Sequence, residues 1–105
     1  MISVVVPMRD EERTVERLYD ELARALEPCG EPWEVVVVDD GSRDGTAEAL
    51  VRLHAAATNV KVVRLRRNAG KAAALDAGFR EVEGDVVVTI DGDLQDDPAE
   101  IPRLL

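Results

Sequence analysis

Two aspartates that directly follow a run of β-branched residues are the side chains in this sequence best suited to chemistry. Asp91 and Asp93 come after the segment 86–90, Val-Val-Val-Thr-Ile, which has the composition of a β-strand. Side chains at i and i+2 of an extended chain project to the same side, so both carboxylates would converge where the strand ends. Two such oxygen ligands suit Mg²⁺ or Mn²⁺ shared with a substrate phosphate. A solvated acidic turn is the alternative interpretation of this Asp-x-Asp (DXD) motif.

Charged residues also follow the other predicted strands. Acidic side chains occur at 10–12 and 39–40, whereas the segment 64–71 is basic and then contains glycine. Ligands of open α/β sheets bind beyond the carboxyl ends of the strands. Carboxylates for an ion, with cations or helix N-terminal amides for phosphate oxygens, would suit a metal-bound diphosphate there. The plainer alternatives are a helix-dipole role for 10–12, a turn at 39–40 and a solvated basic surface.

Short apolar runs alternate with amphipathic segments, which predicts an α/β fold. We expect strands at 2–6, 35–38, 60–65 and 85–90, with helices between them and a fourth helix opening at Pro98. The continuous valine run at 35–38 is typical of a strand buried on both faces, as in a parallel sheet. The sequence therefore predicts a Rossmann-like, mainly parallel four-stranded sheet with flanking helices.

Two local features complete the predicted organisation. Asp44 or Thr46 is the expected N-cap of the second helix. The last predicted helix has no C-terminal cap signal, so we expect residues 1–105 to be a single domain from the N-terminal side of a longer protein. The fourth strand would then be an exposed edge, which favours homo-oligomer formation.

Composition limits the partners and the compartment. The chain has 105 residues, 46% of them hydrophobic, and a net charge of −9, so it can form one core and is not expected to bind nucleic acid. A divalent cation can still reverse the local charge at a phosphate site. Cys29 is the only cysteine, and neither a signal peptide nor a membrane span is visible. These features predict a cytoplasmic protein that would meet a lipid substrate at the membrane surface.

The ordered motifs resemble those of family 2 glycosyltransferases of the GT-A fold. The resemblance is to their N-terminal nucleotide-sugar-binding part, and is greatest for the polyprenyl-phosphate (dolichyl-phosphate-type) mannosyl- or glucosyltransferases. The matching segments cover nearly the whole chain and are 4–7 with 10–12, 38–46, 67–71 with 74–75, and 91–98 with 101–102. The family usually has an aromatic residue and then Asn where this chain has Arg9 and Asp10, which leaves the choice of base open.

The resemblance implies an inverting, metal-dependent transfer of a hexose from GDP- or UDP-hexose to a polyprenyl phosphate, at the cytoplasmic face of a membrane. Asp40 would accept a hydrogen bond from the base. Asp91 and Asp93 would be catalytic. The implied Mg²⁺ or Mn²⁺ ligands are Asp91, Asp93 and Gln95. The implied nucleotide-sugar-binding residues are Pro7, Arg9, Glu11, Val38, Asp40, Gly70, Lys71, Asp91, Gly92 and Asp93.

The acceptor sets what further chemistry the enzyme needs. The second pKa of a phosphate monoester is about 6, so a lipid phosphate arrives largely deprotonated. A sugar hydroxyl would instead require a carboxylate base, and the sequence offers no clear candidate. Either the base lies outside residues 1–105 or the acceptor is a phosphate. The segment 93–96, Asp-Leu-Gln-Asp, resembles the lipid-phosphate branch of the family, so we favour a lipid phosphate acceptor and expect this chain by itself to bind nucleotide with little or no transferase activity.

Three other functions fit parts of the pattern. A response-regulator receiver is also small, acidic at its sheet edge and Mg²⁺-binding, but its acidic pair follows the first strand. A nucleotidyltransferase acting on sugar phosphates would carry a glycine-rich basic loop where this chain has Met8-Arg9-Asp10-Glu11. A catalytically inactive binding module is the third, and the intact pair Asp91 and Asp93 argues against it.

Overall fold

The computed structural model describes residues 1–91 and 98–104. In these two ranges four strands and four helices alternate, with short 3₁₀ turns at Glu27–Cys29 and Pro98–Glu100. In chain order they are β1 (Ile2–Met8), α1 (Val15–Leu26), β2 (Trp33–Asp40), α2 (Thr46–Ala56), β3 (Val60–Leu65), α3 (Lys71–Phe79), β4 (Val86–Thr89) and α4 (Ile101–Leu104). The predicted α/β alternation is confirmed.

All described strand pairs are parallel, and the strand order in the sheet is β3-β2-β1-β4. Val4 of β1 lies opposite Val35 of β2 on one side and Val88 of β4 on the other. Because every strand runs in the same direction, all four carboxyl ends lie at one edge of the sheet. The predicted four-stranded parallel sheet is therefore confirmed, and its topology gathers the segments that follow the strands.

The core lies on both faces of the two central strands, as the valine runs predicted. Val4 and Val6 pack in one cluster with the apolar side of α1, whereas Val5 faces α3. A Cβ atom on Gly78 would lie 2.5 Å from Cγ1 of Val5, a distance at which atoms overlap. Gly78 therefore lets α3 pack directly against the sheet, and this packing helps to position the N-terminus of α3 at the carboxyl edge.

The central strands extend further than predicted at their carboxyl ends. Met8 still pairs with Asp39, and Asp40 pairs with Leu65, so both aspartates belong to β2. Asp39 and Asp40 are buried, with 0% and 7% of their surface exposed. The interpretation of residues 39–40 as a turn is wrong, because Asp39 pairs with Met8 and Arg64, and Asp40 pairs with Leu65.

The predicted N-cap of the second helix is also wrong. Gly45 occupies that position and forms no side-chain cap bond. Asp44 lies one residue before it, and its Oδ1 still accepts a hydrogen bond from the first N–H of the helix, that of Thr46, at 2.9 Å. Thr46 begins the helix, and its Oγ1 accepts a hydrogen bond from the Glu11 N–H at 2.8 Å, which ties the start of α2 to the loop after β1.

Strand β4 lies at one edge of the sheet and, in the described part of the chain, pairs only with β1. Val86 and Val87 expose 40% and 42% of their surface. Self-association through this edge remains a prediction. No helix within residues 1–91 and 98–104 is long and apolar enough to cross a membrane.

Candidate functional site

A cavity of about 310 Å³ opens at the carboxyl edge of the sheet. The loop after β1, the end of β2, the first turn of α3 and the residue after β4 form its walls. Both signs of charge face it. The lining residues are Pro7, Met8, Arg9, Glu11, Asp40, Lys71 and Asp91. This position is where the ligands of open α/β sheets bind.

Asp40 fixes the segment that leads into α3. Its Oδ1 accepts a hydrogen bond from the Ala69 N–H at 2.8 Å, and its Oδ2 accepts one from the Gly70 N–H at 3.2 Å. Asn68 Oδ1 accepts a second bond from the Gly70 N–H at 3.0 Å. Each carboxylate oxygen has two acceptor positions, so Asp40 can hold this loop and still accept a hydrogen bond from a ligand.

The loops after β2 and β3 are in direct contact because Gly41 has no side chain. Gly41 has a φ of +72°, and a Cβ atom there would lie 2.4 Å from the backbone nitrogen of Asn68. Both the left-handed backbone and the close approach require glycine. The walls of the cavity on this side are thus set by backbone packing as well as by the hydrogen bonds of Asp40.

An ion pair joins two walls of the cavity. Lys71 Nζ lies 2.6 Å from Asp91 Oδ1, with 63% and 32% of the two side chains exposed. Lys71 is the first residue of α3, where the helix dipole disfavours a positive charge. Asp91 is held close by the strand before it, since the Ile90 N–H donates to the Val5 carbonyl at 3.2 Å. The carboxylate therefore offsets an unfavourable position of the ammonium group.

Asp10 organises the loop after β2, a role that sequence reasoning missed. Its Oδ1 accepts a hydrogen bond from the Arg43 N–H at 2.8 Å, and its own N–H donates to Ser42 Oγ at 2.9 Å. Asp10 has a φ of +54°, a conformation that Asp and Asn tolerate better than most residues. The sequence did contain a signal for this role, because the family usually has Asn at this position, and Asn, like Asp, tolerates a left-handed backbone.

Electrostatic interactions support the same loop. The hydrogen bond from the Thr46 hydroxyl group holds the pKa of the Asp44 carboxyl group below its ordinary value. Backbone N–H groups of Thr46 and Glu12 act in the same direction. The loop before α2 is thus organised by an ionised carboxylate and stabilises the neighbouring wall of the cavity.

The structure brings together six of the residues that the resemblance implied. They are Pro7, Arg9, Glu11, Asp40, Lys71 and Asp91. Val38 lies elsewhere: it is fully buried, and its Cγ2 would be 3.1 Å from a Cβ atom on Gly78, so it faces α3. Gly70 acts through its N–H bond to Asp40. Met8 lines the cavity without having been predicted.

Of the three predicted metal ligands, Asp91 belongs to the described residues. Gly92, Asp93 and Gln95 lie outside the described residues. Within residues 1–91 and 98–104, no group of three or more His, Cys, Asp or Glu side chains could hold a metal ion. Asp91 does fit a divalent ion, because it offers a carboxylate oxygen to the cavity and already holds a cation, the ammonium group of Lys71.

A parallel α/β sheet with a mixed-charge cavity at its carboxyl edge defines a Rossmann-like domain of the nucleotide-binding class. Comparison with known proteins narrows the class. The sequence profile of Glycosyl transferase family 2 matches residues 3–105, and this chain belongs to that family.

The relatives include polyprenyl-phosphate enzymes. The undecaprenyl-phosphate 4-deoxy-4-formamido-L-arabinose transferase of Salmonella paratyphi B is 41% identical over 105 residues, which cover 99% of this chain and 32% of that protein. Sequences of the same name from Salmonella newport and Salmonella heidelberg match equally well. The chain thus spans about a third of the length of the curated relatives that it matches.

Similar solved structures are GT-A glycosyltransferases, which confirms the predicted fold. A mannosyltransferase from Pyrobaculum calidifontis, in complex with GDP-Man and Mn²⁺, has a TM-score of 0.77 and 33% identity, covering 88% of this chain and 27% of that one. The Mycobacterium tuberculosis glucosyl-3-phosphoglycerate synthase, with Mn²⁺, UDP and glucosyl-3-phosphoglycerate, has a TM-score of 0.70 and 28% identity, covering 97% and 37%.

Proposed function

We propose that this chain is the donor-binding part of an inverting glycosyltransferase that transfers a hexose from GDP- or UDP-hexose to a polyprenyl phosphate. The observation that supports this most directly is the cavity at the carboxyl edge, where the Asp91 carboxylate lies beside the Asp40-anchored segment that precedes α3. The names of the similar proteins support the two substrate classes, since they include a GDP-mannose complex and an undecaprenyl-phosphate transferase.

The proposed reaction depends on a divalent metal ion, Mg²⁺ or Mn²⁺, held by Asp91 together with Asp93 and Gln95. When bound, such an ion stabilises the negative charge that develops on the diphosphate as the bond to the sugar breaks. Lys71 would add a second positive charge for the phosphate oxygens. Two of the similar structures contain Mn²⁺, which supports this choice of ion.

The end of β2 and the loop after β1 would bind the nucleotide. Asp40 would accept a hydrogen bond from the base while it continues to hold the backbone of Ala69 and Gly70. Pro7, Arg9 and Glu11 line the cavity beside it and would lie along the nucleotide. Arg9 stands where the family usually has an aromatic residue, so its guanidinium plane could stack on the base in place of a ring.

The acceptor that we propose is a lipid phosphate, in keeping with the undecaprenyl-phosphate transferases among the relatives. Because a phosphate monoester has a second pKa of about 6, the acceptor attacks as an anion and needs no general base. The acceptor would be presented at the cytoplasmic face of a membrane. Inversion requires that it attack the anomeric carbon of the sugar from the side opposite the leaving diphosphate.

Calorimetric titration of GDP and UDP, each with and without Mn²⁺, tests the proposal. We expect binding that depends on the metal and weakens by about 10-fold or more in Asp91→Ala, since even groups that only orient metal ligands are worth about 10- to 100-fold. Asp20→Ala is the matched control, because it removes one exposed carboxylate from α1. Binding that is equally strong without metal, or that is unchanged in Asp91→Ala, would contradict the metal role.

A further inference from the structure

The ion pair in the cavity involves the carboxylate that the proposed function assigns to the metal. Lys71 Nζ lies 2.6 Å from Asp91 Oδ1. We propose that Lys71 is a positioning residue that holds Asp91 in the metal-free protein and exchanges Asp91 for phosphate oxygens when the metal-bound diphosphate enters. This inference rests on the proposed function and adds a coupling between the two ligands.

Simple electrostatics explains why the ammonium group must move. Mg²⁺ binds oxygen ligands at about 2.0–2.1 Å. An ammonium group 2.6 Å from the same carboxylate oxygen would then lie beside a divalent cation and be repelled by it. A diphosphate that arrives with the ion supplies negative charge to both the metal ion and the Lys71 ammonium group. Metal that binds alone therefore has to break the ion pair between Lys71 and Asp91. Metal that binds with a nucleotide replaces it by an ion pair between Lys71 and the diphosphate.

Lys71 is placed so that it can change partners. Its side chain is 63% exposed, so there is open space into which the ammonium group can move away from Asp91. Its backbone lies at the N-terminus of α3, where the helix dipole disfavours a cation and favours a phosphate. Gly70, the preceding residue, is anchored by Asp40. The backbone is thus fixed by a buried carboxylate while the charged end of the side chain can move.

This arrangement makes the binding of metal and nucleotide cooperative. Lys71 opposes the metal when the nucleotide is absent and supports the nucleotide when the metal is present. Because coupling between two ligands is reciprocal, the nucleotide should raise the affinity for the metal as much as the metal raises the affinity for the nucleotide. Replacing Lys71 should reduce this mutual effect.

The decisive experiment is a Mn²⁺ titration of the 105-residue chain, followed by electron paramagnetic resonance of the free ion, first without nucleotide. Lys71→Met removes the ammonium group, Lys71→Arg keeps a cation, and Arg66→Met removes an exposed cation after β3 that does not line the cavity. We expect Lys71→Met to bind Mn²⁺ about 1.5- to 5-fold more tightly than Arg66→Met, as the strength of partly exposed ion pairs implies. Lys71→Arg should resemble the unaltered protein.

The same variants are then titrated with GDP and UDP at saturating Mn²⁺. Lys71→Met should now bind the nucleotide about 10-fold more weakly, because a charge-assisted hydrogen bond to phosphate is lost. A purely structural role for Lys71 would weaken both ligands together, so the opposite signs identify the exchange of partners. Thermal unfolding of Lys71→Met should stay close to that of the unaltered protein, because the lost ion pair is offset by removal of a cation from a helix N-terminus.

Asp91→Ala, measured in the same metal titration, separates the two proposals. If Asp91→Ala weakens Mn²⁺ binding but Lys71→Met binds the ion no better than Arg66→Met, the exchange of partners is wrong and the metal role stands. If Asp91→Ala leaves Mn²⁺ binding unchanged, the ion binds elsewhere, and both the metal role and the exchange are wrong.

Discussion

Carboxylates are buried at both ends of the sheet, but their hydrogen bonding differs between the two ends. At the amino end, Glu34 is only 4% exposed, and both of its oxygens have partners. Oε2 accepts hydrogen bonds from Ser3 Oγ at 2.6 Å and from the Glu83 N–H at 2.7 Å, and Oε1 lies 2.9 Å from Lys61 Nζ. This carboxylate ties β1, β2, β3 and the connection into β4 together.

At the carboxyl end, one oxygen of the buried Asp39 carboxylate has no hydrogen bond within the described residues. Asp39 Oδ1 accepts a hydrogen bond from the Ser42 N–H at 2.9 Å. Its Oδ2, in contrast, has no hydrogen-bond partner in the described part of the chain, and the nearest cation is Arg64 Nε at 4.0 Å. Asp40 and Asp91 are both partnered, yet both face the cavity and can accept more.

We interpret this as a difference between carboxylates that stabilise the fold and carboxylates that the proposed function uses for binding. Buried polar groups are nearly always hydrogen-bonded, because an unpaired one costs free energy. The amino end satisfies this rule fully and so contributes stability. The carboxyl end satisfies it only in part, because one oxygen of Asp39 has no hydrogen bond within the described residues, while the carboxylates of Asp40 and Asp91 face the cavity. Substitutions at the amino end should therefore change the free energy of unfolding, and those around the cavity should mainly change ligand affinity.

The largest expected effect on stability is that of Glu34→Gln. The amide group can still accept from Ser3 and Glu83, but its NH₂ group would face the ammonium group of Lys61. Breaking a fully buried ion pair costs about 3–5 kcal/mol, and Lys61 is 35% exposed, so we expect a loss of about 2 kcal/mol. Urea unfolding measures it, and nucleotide affinity at saturating Mn²⁺ should not change.

The pH dependence of stability follows from the same carboxylate. Burial raises the pKa of Glu34, but hydrogen bonds from Ser3, Glu83 and Lys61 outweigh burial and lower it below the ordinary value of 4.5. A lowered pKa means that the contribution is complete above pH 4.5 and is lost as the pH falls through the folded-state value. Unfolding free energies measured from pH 7 downward should fall less steeply in Glu34→Gln than in the unaltered protein.

Part of the acid dependence should remain in that variant. The pKa of Asp44 is lowered by the Thr46 hydroxyl group, and that of Asp85 by the N-terminal ammonium group. Both carboxyl groups lose stabilising partners as they become protonated. An acid profile of Glu34→Gln identical to that of the unaltered protein would show that Glu34 contributes nothing to this dependence.

Asp40→Asn should have a smaller effect on stability and a clear effect on binding. Asparagine can still accept the Ala69 N–H, and Gly70 retains Asn68 as a second acceptor. We expect a loss of about 1 kcal/mol in unfolding free energy, the value of one hydrogen bond. Because the anchored segment leads into Lys71, nucleotide affinity should fall as well. Reduced stability with unchanged affinity would place Asp40 with Glu34 as a structural carboxylate.

Much of the fold could be predicted because burial on both faces leaves a plain pattern. The valine runs of β1 and β2 have no polar alternation, which is typical of a parallel sheet covered by helices on both faces. The carboxyl end of β2 was predicted too early, since Asp39 and Asp40 look like turn residues. Their inclusion in β2 depends on pairing with Met8 and Leu65, which lie far away in the sequence.

The site was predictable as a set of segments, but not in its internal contacts. The topology brings the segments after the strands together, so Arg9, Lys71 and Asp91 could be expected at one edge. The resemblance also implied Val38, but strand alternation turns its side chain toward α3. The ion pair of Lys71 with Asp91 depends on how closely α3 packs against the sheet, which no local pattern in the sequence encodes.

Asp39→Asn has the smallest expected effect and is the most direct comparison with Glu34→Gln, because both replace a buried carboxylate by its amide. The Oδ1 atom of asparagine keeps the hydrogen bond from Ser42, and the replaced oxygen has no hydrogen bond to lose within the described residues. The attraction to Arg64 at 4.0 Å is lost, but that side chain is 68% exposed and such attractions are weak. The new NH₂ group is buried with no acceptor in place in the described part of the chain, a cost that removal of a poorly paired buried charge offsets, so we expect a change below about 1 kcal/mol in urea unfolding.

Arg64→Met tests the origin of any larger change. If Asp39→Asn and Arg64→Met each lower the free energy of unfolding as much as Glu34→Gln does, the Arg64–Asp39 ion pair stabilises the fold. Asp39 is then a structural carboxylate like Glu34. If Asp39→Asn is nearly neutral, the second oxygen of Asp39 contributes little to folding. The contrast between a satisfied amino end and an open carboxyl end then holds for the two most closely matched carboxylates in the sheet.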